Sequence, residues 1–175
     1  MSYLTRIFST GAVRKTPDTI IERMAAAVTL QEQSIILEFG AGKGEITEKV
    51  FSKKGELKIH YHAFELSHDF AAQLRKDFPG ITIFRENAFA FREHLPKSLK
   101  ADHIICSIPL SFYGSRAAGK LATDMKEVLN KGGRIQILFH AIWLIPVLKR
   151  ALPGSKLTTF ATLPPYFLID YTEQD

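Results

Sequence analysis

The stretch Ile35-Ile36-Leu37-Glu38-Phe39-Gly40-Ala41-Gly42-Lys43-Gly44-Glu45 sets an apolar strand directly against three alternate glycines. Glycine lets a tight turn take positive φ and lets a ligand come close to the backbone. A loop of this kind, between a strand and the start of a helix, holds a nucleotide-like ligand at the carboxyl end of a parallel sheet. Spacing narrows the ligand. A dinucleotide-binding G-x-G-x-x-G would place its third glycine at position 45, where the chain has Glu45. The pattern is instead E-x-G-x-G-x-G.

Outward from this loop the chain keeps one rhythm. Upstream, Thr16-Pro17-Asp18 reads as a helix start, with Ile20, Ile21, Met24 and Ala27 at helical spacing over 19–28. Downstream, a helix begins over Glu45–Phe51, and 58–64 is a second strand ended by Glu65. A helix over 67–78 is stopped by Pro79-Gly80, and strands follow at 81–85 and 102–107. Residues 115–129 read as a helix closed by Asn130-Lys131-Gly132-Gly133, a helix-stop composition, before a fifth strand at 134–139. A short helix over 142–152 is interrupted by Pro146, and extended runs at 157–163 and 166–171 flank Pro164-Pro165. Strands alternating with helices predict an α/β doubly wound, mainly parallel seven-stranded sheet. The final pair, joined by a short turn, predicts antiparallel strands at its edge.

Length and composition agree with one folded unit. A chain of 175 residues buries roughly 70% of its unfolded surface as a single domain. Residues 1–175 are therefore read as one domain, with 1–30 as an N-terminal helical extension. Hydrophobic residues make up 46% and charged residues 23%, a balance that excludes disordered and fibrous classes. Cys106 is the sole cysteine, which excludes an internal disulfide and points to a reducing, cytoplasmic compartment. The longest strongly apolar run, 141–148, is far short of the about 20 residues that a spanning helix needs. A net charge of +5 suits an acidic partner, either nucleic acid or an anionic membrane surface, and equally suits a plain solvated surface.

Four landmarks in chain order carry a resemblance. The E-x-G-x-G-x-G run is similar to the first motif of the class I S-adenosyl-L-methionine (SAM) methyltransferases, a Rossmann-like family that releases S-adenosylhomocysteine. The resemblance implies that Gly40, Ala41, Gly42 and Gly44 face the methionine part of SAM, with Glu38 positioning its amino group. Glu65, 21 residues after Gly44 and followed by Leu66, then accepts hydrogen bonds from the ribose hydroxyls. Asn87-Ala88 lies where the family touches the adenine amino group, and Ser107 begins the turn where methyl donor meets acceptor. Taken alone, Asn87 reads equally well as a turn residue.

The flanks narrow the resemblance further. Thr10-Gly11-Ala12-Val13, the turn Ser107-Ile108-Pro109-Leu110 and the late Leu163-Pro164-Pro165 resemble the bacterial phospholipid N-methyltransferases across nearly the whole chain. That family is related to the ribosomal RNA adenine dimethyltransferases, whose turn is typically Asn-x-Pro-Tyr. Here Ser107 replaces the Asn that accepts from the adenine amino group, and Leu110 replaces the aromatic that stacks on the flipped base. The expectation is therefore methyl transfer to the amine of a phospholipid headgroup such as phosphatidylethanolamine. RNA adenine-N6 methylation, a small-molecule acceptor and non-catalytic SAM binding are the alternatives.

A headgroup acceptor needs a partner for its phosphate and aromatic faces for its methylated ammonium. Tyr113 and Arg116, with Ser107, are the candidates for positioning it, and Tyr3, Phe8 and His140 are secondary ones. Tyr113 and Phe112 read equally as helix-cap and core packing. No general base is assigned; positioning supplies the catalysis. Two segments suit an anionic interface: Tyr3, Leu4, Ile7 and Phe8 beside Arg6, Arg14 and Lys15, and Ile142-Trp143-Leu144-Ile145 before Lys149-Arg150. The first is the better membrane contact, because the Ile and Leu residues of the second read as helix packing. This makes the protein peripheral on the inner membrane face, with self-association left open. His60 and His62 have no third ligand at metal spacing, so no metal is expected. Cys106 on a buried strand reads as an inert small hydrophobe.

Overall fold

The computed structural model describes residues 15–174. The motif Thr10-Gly11-Ala12-Val13, the N-terminal interface segment with Tyr3, Phe8, Arg6 and Arg14, and thus residues 1–14 of the 1–30 extension lie outside those residues. The described elements are α1 (Asp18–Ala26), β1 (Ile35–Phe39), α2 (Glu45–Phe51), β2 (His60–Phe64), α3 (His68–Asp77), β3 (Thr82–Phe84) and α4 (Phe91–His94). They continue with β4 (Ala101–Cys106), α5 (Gly114–Glu127), β5 (Leu129–Phe139), α6 (Ile145–Ala151), β6 (Lys156–Phe160) and β7 (Tyr166–Thr172). Short 3-10 turns at Ala88–Ala90, Leu110–Phe112 and Ile142–Leu144 follow β3, β4 and β5.

The strands form one seven-stranded sheet in the order β3-β2-β1-β4-β5-β7-β6. β1 to β5 are parallel, β7 runs antiparallel to β5, and β6 runs antiparallel to β7 at the edge. Chain order reverses between β1 and β4, so the loops after these two strands part on either side of a crevice. That crevice is where open α/β sheets bind ligands. Register brings the strand ends level. Phe39 pairs with Phe64 and with Cys106, and Phe64 pairs with Phe84.

Apolar burial on both faces explains why β1 reads as a continuous hydrophobic run. Alternation sends Ile36 to one face, where Ile20, Met24, Val50, Tyr61 and Leu74 cover it. Leu37 and Phe39 go to the other, against Phe91, Ile104, Leu121, Met125 and Leu148. Phe39 is fully buried, with its ring centroid 5.5 Å from that of Phe64 and 4.9 Å from that of Phe91. No helix among the described residues is long and apolar enough to cross a membrane.

Three local expectations are corrected. Asn130-Lys131-Gly132-Gly133 does not close a helix: α5 ends at Glu127 and the chain enters β5 at Leu129. The four residues instead form an irregularity within β5, because pairing jumps from Ala101–Leu129 to His103–Arg134. Gly132 takes φ 71°, its N–H donates to the Glu173 carbonyl at 3.2 Å, and the Glu173 N–H returns to the Gly133 carbonyl at 2.9 Å. Pro146 does not interrupt a helix either. It sits in the first turn of α6, where its missing N–H would have had no helical partner. Ile142 was read as packing but is 63% exposed, whereas Leu144 and Leu148 of the same segment are buried.

Phe39→Ala should cost about 3–5 kcal/mol, because it empties a ring site between two aromatic neighbours at the strand leading into the glycine loop. Urea denaturation measures it. A loss below about 1 kcal/mol would contradict this packing account.

Candidate functional site

The glycine loop after β1 is held against the turn after β4. Gly40 has φ 81°, and a Cβ on it would lie 2.7 Å from Ile108 Cγ2 and 3.1 Å from Ile108 N. Only glycine permits that approach in that conformation. The Ser107 N–H donates to the Phe39 carbonyl at 2.9 Å, and the Ser107 hydroxyl donates to the Gly40 carbonyl at 2.9 Å. Gly40 N–H in turn donates to the Phe64 carbonyl at 2.8 Å. The ends of β1, β2 and β4 are thus tied together at the crevice.

Gly42 has φ 57°, and a Cβ there would project into open space. Its N–H donates to Glu65 Oε2 at 2.8 Å, while Glu65 Oε1 accepts from the Ser67 N–H at 2.7 Å. Glu65 is buried, and this burial pushes its carboxyl above the usual range while the Ser67 and Gly42 amides pull it down. Ser67 also caps α3, its hydroxyl accepting from the Phe70 N–H. Gly44 and Ala41 complete the loop internally, the Gly44 N–H donating to the Ala41 carbonyl at 2.8 Å.

One pocket gathers these loops. It is lined by Gly40, Gly42, Glu65, Leu66, Asn87, Ala88, Ser107 and Tyr113 from the sequence-derived set. Asn87 has two roles: its Oδ1 accepts from the Phe89 N–H at 3.1 Å and caps the turn, and the residue also lines the pocket. Tyr113 stands half-buried with its ring centroid 4.4 Å from that of Phe89, and burial, then the charge of Glu65, pushes its phenol up. Leu110 turns inward and is 1% exposed, so it presents nothing to a ligand.

The sequence reasoning missed Phe64, Phe70 and Glu86 as lining residues, and it gave Ile108 and Pro109 only as part of the turn that begins at Ser107. Glu86 adjoins Asn87 and Phe64 adjoins Glu65, so position beside a landmark was the available signal. Phe70 lay hidden in the first turn of α3.

Five assigned residues stand apart from the pocket walls: Ala41, Gly44, Arg116, His140 and Glu38. Arg116 lines a separate groove between α5 and α6. His140 lies beyond the end of β5, its Nδ1 2.7 Å from the Pro165 carbonyl and its ring centroid 3.8 Å from that of Tyr166. Glu38 is wholly buried beneath the loop, on the Ile36 face of β1. Its Oε2 accepts from the Thr47 hydroxyl at 2.6 Å and the Tyr61 hydroxyl at 2.7 Å. Its Oε1 is buried with no partner among the described residues. Burial pushes the Glu38 carboxyl up from 4.5 to about 7, against the pull of its two donors. Cys106 is buried in β4, which pushes its thiol up to about 12. His60 Nε2 lies 2.8 Å from Gln33 Oε1, and His62 lies beside Phe84.

Comparison with known proteins gives the geometry a context. No protein-family model matches the chain. It is 30% identical over 146 residues to the ribosomal RNA small subunit methyltransferase A of Prochlorococcus marinus, covering 79% of this chain and 49% of that protein. The protein of the same name from a Synechococcus strain is 29% identical over 110 residues, covering 59% of this chain and 39% of that protein. The chain therefore spans about half the length, or less, of these curated relatives. Among solved structures, N-methyltransferase NodS from Bradyrhizobium japonicum in complex with S-adenosylhomocysteine superposes with a TM-score of 0.71 at 13% identity, over 98% of this chain and 97% of that one. TrmN from Thermus thermophilus gives 0.68 at 22% identity, over 98% and 53%. The fold is that of the Rossmann-like class I methyltransferases.

The raised pKa of Glu38 has a stability consequence. The folded state holds this proton more tightly than the unfolded chain, so its contribution is full below about 4.5 and is lost as pH rises through about 7. Urea unfolding across that window should show wild-type stability falling relative to Glu38→Gln. Parallel pH profiles for the two proteins would contradict it.

Proposed function

We propose that the chain is a SAM-dependent N-methyltransferase whose acceptor is an adenine amino group of RNA. The observation that carries the reading is convergence: Gly42, Glu65, Asn87 and Ser107 come from four loops and line one pocket at the point where strand order reverses. The curated relatives add the acceptor class, since they are ribosomal RNA methyltransferases by name.

The residues present fit SAM. The open space over Gly42 admits a ligand against the backbone, and Glu65 offers a buried carboxylate suited to a pair of ribose hydroxyls. Asn87 and Ala88 would border the adenine, and Leu66 and Phe70 would supply its apolar walls. When bound, SAM supplies an electrophilic methyl group on a sulfonium. The chain's own task is placement. Ser107, tied to Phe39 and Gly40, fixes the turn Ile108-Pro109 beside the loop. Tyr113 and Phe89 offer aromatic faces near that turn, where Leu110 cannot. With cofactor and acceptor bound, the rings would exclude water and help position the acceptor nitrogen, and such placement is the source of the rate gain.

A second reading, the amine of a phospholipid headgroup, is favoured by a specific observation. Ile142 and Leu163 are 63% and 85% exposed on loops at the carboxyl end of β5 and in the β6–β7 hairpin, a placement that suits an acyl interface. Methyl transfer from labelled SAM separates the two. The protein is offered small-subunit ribosomal RNA and, separately, anionic vesicles containing phosphatidylethanolamine. Label in RNA adenine is the expected result, label in extracted lipid selects the second reading, and label in neither overturns both.

A further inference from the structure

We infer that the groove between α5 and α6 receives the phosphate backbone of a single-stranded RNA segment adjoining the acceptor base, with Phe112 and Trp143 as its stacking surfaces. The inference rests on the RNA reading above and adds where the strand runs.

The groove exists because the two helices approach closely at a small residue. A Cβ on Gly119 would lie 3.1 Å from Val147 Cγ1, so the floor is narrow and the long side chains stand at its sides. Arg116 and Lys120 come from α5 and Arg150 from α6, around a space of about 400 Å³. Lys120 is paired with Asp124. Arg116 and Arg150 have no ion-pair partner among the described residues. Two unpaired guanidinium groups lining one groove suit an anion that bridges them, and guanidinium geometry suits phosphate oxygens.

Two exposed aromatic residues precede the helices that form the groove. Phe112 and Trp143 are 53% and 60% exposed, large apolar surfaces left to solvent. Each belongs to the 3-10 turn that leads into one wall of the groove: Leu110–Phe112 precedes α5 and Ile142–Leu144 precedes α6. In chain order Phe112 also adjoins the pocket residue Tyr113, and the groove residue Arg116 follows about one helical turn further on. Cationic grooves beside exposed rings are how proteins hold single strands, since every base has a face to stack.

Trp143 is the sole tryptophan of the chain and reports directly. With S-adenosylhomocysteine present, single-stranded oligoadenylate should quench its emission, with an affinity that falls as salt rises. The double variant Arg116→Glu, Arg150→Glu should bind at least tenfold more weakly with a salt slope lower by roughly 1, while its thermal unfolding stays unchanged. Wild-type affinity and slope in that variant would overturn the groove assignment. So would a blue shift of Trp143 with phosphatidylglycerol vesicles and no response to the oligonucleotide. If the variant still methylates RNA with unchanged KM, the groove fails and the RNA reading stands. If the wild-type protein methylates no RNA, the reading itself fails.

Discussion

The site depends on the lashing of the loop after β1 to the turn after β4. Gly40 is the pivot. Its N–H is bonded to the end of β2, its carbonyl to the Ser107 hydroxyl, and its Cα lies where no side chain could fit beside Ile108. Because β1 and β4 are neighbours at the reversal of strand order, this contact closes the floor of the crevice. Glu65 then ties the other side of the loop through Gly42. Backbone bonds, with the Ser107 hydroxyl and the Glu65 carboxylate, thus hold the loops around the pocket in place.

Beneath the loop the chain carries a buried acid that a purely structural design would avoid. Glu38 shares the Ile36 face of β1, where it meets Thr47 of α2 and Tyr61 of β2. Two donors to one oxygen offset only part of the cost of burying a carboxylate, and the other oxygen is left without a partner among the described residues. Its proton occupancy near neutral pH follows from that imbalance. The group links β1, the start of α2 and β2 in one polar contact inside an otherwise apolar layer.

Much of this was legible in the sequence. The bounds of β1 and α2 were readable because an apolar run ends abruptly in glycine and a helical pattern resumes at Glu45. The alternation of strands and helices, and the paired runs around Pro164-Pro165, gave the sheet and its antiparallel edge. What was not legible depended on partners distant in the chain. Asn130 to Gly133 have the composition of a helix stop, and only pairing with β4 and β7 turns them into a strand irregularity. The four-residue α4 is too short to show a period. Position on α5 gave no facing for Arg116, which lines the α5–α6 groove, apart from the pocket where Tyr113 stands. Likewise, the alternation of β1 put Glu38 in the layer beneath the loop while its sequence position suggested a place at the ligand.

The central claim, that the lashed loop and Glu65 hold SAM, is tested most directly by calorimetric titration of S-adenosylhomocysteine into the wild-type protein and Glu65→Ala. Saturable binding at one site, weakened at least a few-fold by the substitution with folding intact, is the expected result. No binding by the wild-type protein, or equal affinity in both, would contradict the account.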